Sequence, residues 1–215
     1  AYPEALRKLF AITDYTSGPG YLRAEVFSFF TPLLVALFAI LWGADLIAGE
    51  EDRRTIDILL ANPVSRSRVV IEKWLALVAG TLVLGTSVLL TLGLLGPVFE
   101  LHVGWVPLGS EMLGTTLMAI ACGSIALFVG AATARRAAGL GAGAAATVAS
   151  YLLSSLPALV GWLTPARPAS LWWQAIGVDP LTNGFLWWRQ GIVALAACAF
   201  AGLAAWAFSR RDLAT

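Results

Sequence analysis

The chain has 215 residues, of which 59% are hydrophobic and only 13% charged, with nine tryptophans and a mean hydropathy of +0.79. Soluble globular domains carry roughly 25% charged residues, so this composition excludes a water-soluble fold and indicates a membrane protein. A net charge of +1 offers no basic face for nucleic acid and no acidic tail, which excludes function through bulk electrostatics.

The opening AYPEALRKLFAITDYTSGPG is neither a signal peptide nor a membrane span, and it starts at Ala1. Residues 1–26 are expected to form an extracytoplasmic segment of a chain that begins mid-protein. A bilayer core of about 30 Å needs about 20 apolar residues as helix. Five stretches qualify: 27–48, 70–95, 112–134, 139–163 and 191–208. The expected fold is therefore all-α, a polytopic helical membrane protein. The fourth stretch is rich in Ala, Gly and Ser, which predicts a span buried among other helices, and Pro157 predicts a kink within it. Cys122 and Cys198 sit in apolar runs and read as small buried hydrophobes, and the one histidine, His102, makes no metal cluster.

Charge orients the spans. Arg53, Arg54, Arg66, Arg68, Lys73, Arg135, Arg136, Arg210 and Arg211 share one side, against Arg7, Lys8, Arg23, Arg167 and Arg189 on the other. Nine against five puts 49–69, the loop 135–138 and the tail 209–215 in the cytoplasm by the positive-inside rule. Outside lie 96–111 and 164–190, with Trp172, Trp173, Trp187 and Trp188 expected as an interfacial belt; Trp42, Trp74 and Trp206 fit an inner one.

Between the first two spans lies GEEDRRTIDILLANPVSRSRVV, with four acids and four arginines. Ile56, Leu59, Leu60 and Pro63 recur at i, i+3, i+4 and i+7, one face of a short amphipathic helix. Glu50, Glu51 and Asp52 are read as its amino end, complementing the helix dipole, and Asn62-Pro63 as its close. Ser65 is expected to cap the next helix, with Arg66 and Arg68 near the head groups. The mixture of charge signs favours a protein partner over a lipid surface, where such helices are normally basic.

From Gly49 to Lys73 the sequence reads G-E-E-x-R-x-T-x-D-x-L-L-A-x-P-V-S-R followed by V-V-x-x-K. That pattern resembles the membrane subunit of ABC-2 type exporters. The later D-P-L-x-x-G of Asp179 to Gly184 and the closing F-x-R-R-D-L of Phe208 to Leu213 agree in the same order. Arg54 stands where the family often has glycine. The family's six spans imply one further helix upstream of Tyr2. The resemblance implies a permease of the bacterial cytoplasmic (inner) membrane whose coupling helix docks in a groove of a separate ABC ATPase subunit. The docking residues carried over are Glu50, Glu51, Asp52, Arg53, Arg54, Thr55, Ile56, Asp57, Leu59, Leu60, Pro63, Ser65 and Arg66. ATP and Mg would sit on that partner, with a second permease copy or homologous half completing the unit among membrane lipids. Small-residue faces at Gly123, Gly130, Gly141 and Gly143 allow a close helix seam.

No G-x-x-x-x-G-K-[ST] loop occurs, and the two lysines, Lys8 and Lys73, do not follow glycine, so this chain is not expected to hydrolyse ATP. Asp45, near the cytoplasmic end of the first span, is read as a helix-end ion pair with an arginine, and Glu72 likewise beside Lys73. Glu100, His102 and Glu111 are read as solvated residues of the outer link. Ser154-Ser155 lacks a nearby base for an intramembrane hydrolase. The substrate expected is an amphipathic or lipophilic compound; a membrane anchor that recruits a cytoplasmic partner without transport is the alternative.

Overall fold

A computed structural model describes residues 20, 22–55, 65–99 and 103–211, with backbone alone at 23–25. A π-helical turn, Leu22–Phe27, leads into α1, which runs Phe30–Ala44, widens into a π segment at Asp45–Gly49 and closes with an α turn, Glu50–Asp52. Next come α2, Arg66–Leu95, extended by a 3-10 turn Gly96–Phe99, and α3, Trp105–Thr133. Helix α4, Arg136–Ser155, is followed by short 3-10 stretches Leu156–Ala158 and Gly161–Ala169. Two short helices, α5 (Leu171–Ala175) and α6 (Pro180–Asn183), precede α7, Trp187–Arg210.

Among the described residues, five helical stretches are long and apolar enough to span a bilayer: Phe30–Asp52, Arg66–Phe99, Trp105–Thr133, Arg136–Ala158 and Trp187–Arg210. No strand occurs among the described residues. The protein is a multi-pass all-α membrane protein, with Leu34, Leu37, Val83, Leu94 and Leu195 presenting apolar side chains outward.

Helix α3 is the hub, with α1, α2, α4 and α7 all packed against it. Small side chains make this possible, because backbones meet where no Cβ intervenes. Gly43 of α1 and Gly123 of α3 lie opposite one another, and a Cβ on Gly123 would stand 2.7 Å from the Ala39 carbonyl oxygen. Gly123→Val should therefore push α1 from α3 and destabilise the fold by about 1–3 kcal/mol, the usual scale of overpacking. Gly141→Val, whose Cβ would meet nothing within 4 Å, is the control. Thermal unfolding in detergent that fails to separate the two variants would refute this packing.

The same contacts revise the small-residue seam. Gly123 packs on Ala39, Gly130 on Ala48, and Gly143 on Ile40, so three of the four glycines close helices within this chain, and Gly141 alone faces open space. The fourth span is also not the buried one. That position belongs to α3, while α4 buries only Gly139, Gly143, Thr147, Ser150 and Ser154, a single face at helical spacing. Pro157 falls past the α-helix rather than inside it: α-helix ends at Ser155, and Leu156, still helical at φ −60° and ψ −32°, opens the 3-10 turn that holds the proline.

The end carrying α5 and α6 is built on hydrogen bonds rather than charge. Ser170 caps α5 by accepting from Trp173 N, and its hydroxyl donates to the Ser150 carbonyl at 2.6 Å, while Trp172 N donates to Ser150 Oγ at 2.7 Å. This pins Trp172 edge-on to Tyr151 at 5.0 Å and 4% exposed, so it is a core residue and not part of an interfacial belt. Trp187 and Trp188 are exposed, as a belt requires. Trp74 is also drawn inward, its Nε1 donating to Ser124 Oγ of α3 at 2.8 Å. Cys122 is buried but Cys198 is exposed on α7. Glu111 is not a loop residue: α3 begins at Trp105 and buries it in its second turn.

Candidate functional site

The charged residues gather where α1 ends, α2 begins, α3 gives way to α4, and α7 ends. The first of these junctions differs from its reading as the start of a coupling helix. Arg54 has φ of 55°, Arg54 N donates to the Glu51 carbonyl at 2.9 Å, and Thr55 N reaches back to that of Glu50 at 2.9 Å. Those paired bonds around a left-handed residue are a Schellman motif, which closes a helix carboxyl end. Glu50, Glu51 and Asp52 are thus the last turn of the first span, not the amino end of the next helix. The left-handed conformation costs a residue with a Cβ roughly 1–2 kcal/mol, so glycine would fit position 54 at less cost than arginine.

Three carboxylates at a helix carboxyl end oppose the helix dipole. Cations from other elements offset this. Lys73 Nζ of α2 lies 2.5 Å from Glu50 Oε1, with both side chains partly buried. Arg211, just past α7, pairs with Glu51 through Nη2 and donates through Nη1 to the Ala131 carbonyl of α3 at 2.7 Å. Arg66 donates from Nη1 to the Arg211 carbonyl at 2.6 Å, and both guanidiniums lie about the ring of buried Phe208, at 6.0 and 5.9 Å.

Asp45 forms a second centre. Its two oxygens accept from Arg53 Nη1 and Nη2 at 3.2 and 3.0 Å, a bidentate grip, and Arg136 Nε at the head of α4 lies 3.0 Å from Oδ1. The hydrogen bond to Asp45 raises the Arg53 pKa above its ordinary value. Gly49 makes room, because a Cβ there would collide with the Asp45 carboxylate. Glu72 pairs with Arg68 one turn back at 2.7 Å, not with its neighbour Lys73. Ser65 caps α2 by accepting from Arg68 N at 3.3 Å.

Of the proposed docking residues, Glu50, Glu51, Asp52, Arg53, Arg54, Thr55, Ser65 and Arg66 therefore flank one charged end of the bundle. Ile56, Asp57, Leu59, Leu60 and Pro63 lie outside the described residues, as do Glu100, His102 and Leu213. What sequence reasoning missed is Lys73, Arg136 and Arg211 as the cations that hold this end together. The V-V-x-x-K and F-x-R-R-D-L patterns contained Lys73 and Arg211 but did not say what they pair with. The D-P-L-x-x-G pattern proves to be a turn: Asp179 is left-handed at φ 59°, its Oδ2 accepts from Thr182 Oγ1 at 2.8 Å, Pro180 starts α6, and Gly184 at φ 69° ends it.

The bundle thus gathers its ion pairs at one end, where the first span closes and the second begins. Residues 5–213 match the family described as ABC-2 family transporter protein, and the chain belongs to that family. It is 34% identical over 121 residues to the ABC transporter permease protein NatB of Bacillus subtilis (strain 168), across 49% of this chain and 31% of that relative, so the matched stretch is under a third of NatB's length. No solved structure matches.

Proposed function

We propose that this chain is the membrane-spanning part of an ATP-driven exporter of the bacterial inner membrane, moving an amphipathic or lipophilic compound out of the cytoplasm or inner leaflet. ATP and Mg bind the separate ATPase, and two permease halves form the pathway. The observation that carries the reading is the charged end just described. The segment 56–64 emerges from a Schellman-closed helix and re-enters at the Ser65 cap. Its two anchors are tied by ion pairs to α2, α4 and α7, and by the Arg211 bond to α3. A load applied to that loop by a moving ATPase thus reaches all five spans through groups already in contact. Apolar faces on α1, α2 and α7 fit surroundings of lipid and a second half.

Orientation is the first test. With the charged end in the cytoplasm, a cysteine at Arg135 should be labelled by an impermeant maleimide only after permeabilisation, and a cysteine at Asp179 in intact cells. Labelling in the opposite order would invert the exporter and sink the proposal. Docking itself is tested by the affinity of the ATPase for loop variants.

A further inference from the structure

The end opposite the charged one carries two arginines with a common aromatic neighbour. The Arg189 guanidinium lies 4.0 Å from the ring centre of Trp173 and 4.6 Å from that of Trp188. Arg167 stands 5.7 Å from the same Trp173 ring. Among the described residues no carboxylate forms a salt bridge with either. Arg189 makes one long contact, from Nη1 to Gln174 Oε1 at 3.5 Å, and Arg167 donates from Nε to the Ser154 carbonyl at 3.1 Å. Aromatic contact engages a guanidinium's charge without consuming its N–H donors, so most of both forks remain available.

The position of Arg189 adds to this. It is the third residue of α7, a helix of 24 residues whose first turn has no side-chain cap. A cation there faces the positive end of the helix dipole, an arrangement that is unfavourable until an anion arrives. Two cations held about one indole, beside an uncapped helix start, make a local excess of positive charge and of N–H donors. Arginine's planar fork matches a phosphate's oxygens and is weakly hydrated. The exposed Trp187 and Trp188 set the same place at the depth of lipid head groups.

We propose that Arg167, Arg189, Trp173 and the start of α7 form a binding site for a phosphate anion, with the phosphate of an anionic lipid head group as the natural source. The site stands apart from the charged end and does not depend on the exporter reading or its orientation.

The test is a titration of the full chain in neutral detergent with short-chain phosphatidylglycerol, short-chain phosphatidylcholine or inorganic phosphate, read as the shift in unfolding temperature, since a ligand of the folded state stabilises it saturably. Phosphatidylglycerol should stabilise the wild type at lower concentration than phosphatidylcholine, whose own ammonium offsets its phosphate charge. Arg189→Gln should weaken its apparent affinity about tenfold or more, the scale of a lost hydrogen bond to a charged group. Arg189→Lys, which keeps charge and loses the fork, should fall between, and Arg210→Gln, which removes an arginine lying 4.7 Å over Trp206 at the other end, should change nothing. A response to inorganic phosphate equal to that of the lipid assigns the site to free phosphate and still supports it. If Arg189→Gln does not fold, Arg167→Gln carries the same expectation. No saturable response to either anion, or wild-type affinity in variants that fold, overturns the proposal and leaves these arginines as anchors.

Discussion

Leu59→Ala should weaken binding of the ATPase subunit by about 2 kcal/mol or more, roughly thirtyfold in affinity, when measured in detergent. Ile56, Leu59 and Leu60 fall on one helical face by their spacing, and buried apolar anchors carry most of the energy of such contacts. Detergent matters because it removes the lipid surface on which a merely interfacial helix would lie. That competing role expects Leu59→Ala to leave subunit affinity unchanged. The charged flank should behave differently. Arg53, one of the docking residues carried over from the resemblance, is already held by both oxygens of Asp45, so reversing it would disturb the end of α1 as well. Arg54 is exposed at the closing turn and is the better rim residue. Arg54→Glu should slow association and raise its salt sensitivity, with little effect on dissociation. Equal affinity for wild type and Leu59→Ala would end the docking role proposed for this loop.

The spans were legible because a helix that crosses a bilayer must be apolar for about 20 residues, a property of consecutive residues. The structure's corrections fall where partners are distant in sequence. Three acids before an apolar i, i+3, i+4 pattern read naturally as a helix start. They form a helix end in which Glu50 pairs with Lys73, 23 residues on, and Glu51 with Arg211, 160 residues on. Nothing local announces that. The fourth span misled for a related reason. Its Gly and Ala residues do permit close approach, but one face at Gly139, Gly143 and Thr147 uses it, and the seat at the centre goes to α3. Trp172 read as an interfacial anchor because Ser150 and Ser170, which draw it into the core, lie in separate elements. By contrast Asp45 could be assigned an arginine partner from its depth alone, and Ser65 its capping role from the residue type.

The residue on which most of the charged end converges is Arg211, and its removal should have the largest effect on the fold of any single change there. Its side chain joins Glu51 of α1 to the Ala131 carbonyl of α3, and its own carbonyl accepts from Arg66 of α2. In Arg211→Ala the Glu51 carboxylate, only 11% exposed, loses its cation while remaining sheltered from water. Breaking one side of a buried pair costs about 3 kcal/mol or more, whereas replacing both partners with apolar groups of similar volume is often neutral. Arg211→Ala should therefore lower the unfolding temperature in detergent sharply, and Arg211→Met with Glu51→Leu should restore most of it. A single variant as stable as wild type would mean that the pair does not hold this end together. The double variant then separates structure from coupling. If the ion pair only fastens helices, the double variant should assemble with the ATPase and stimulate its turnover as the wild type does. If the charged end relays motion from the segment 56–64 to the spans, the double variant should fold and assemble yet leave the ATPase rate of the complex at that of the free subunit. The second outcome is the one expected, because apolar contact is non-directional and lets Arg66, the Ala131 carbonyl and the end of α1 slide past one another, while a fork of fixed hydrogen bonds does not.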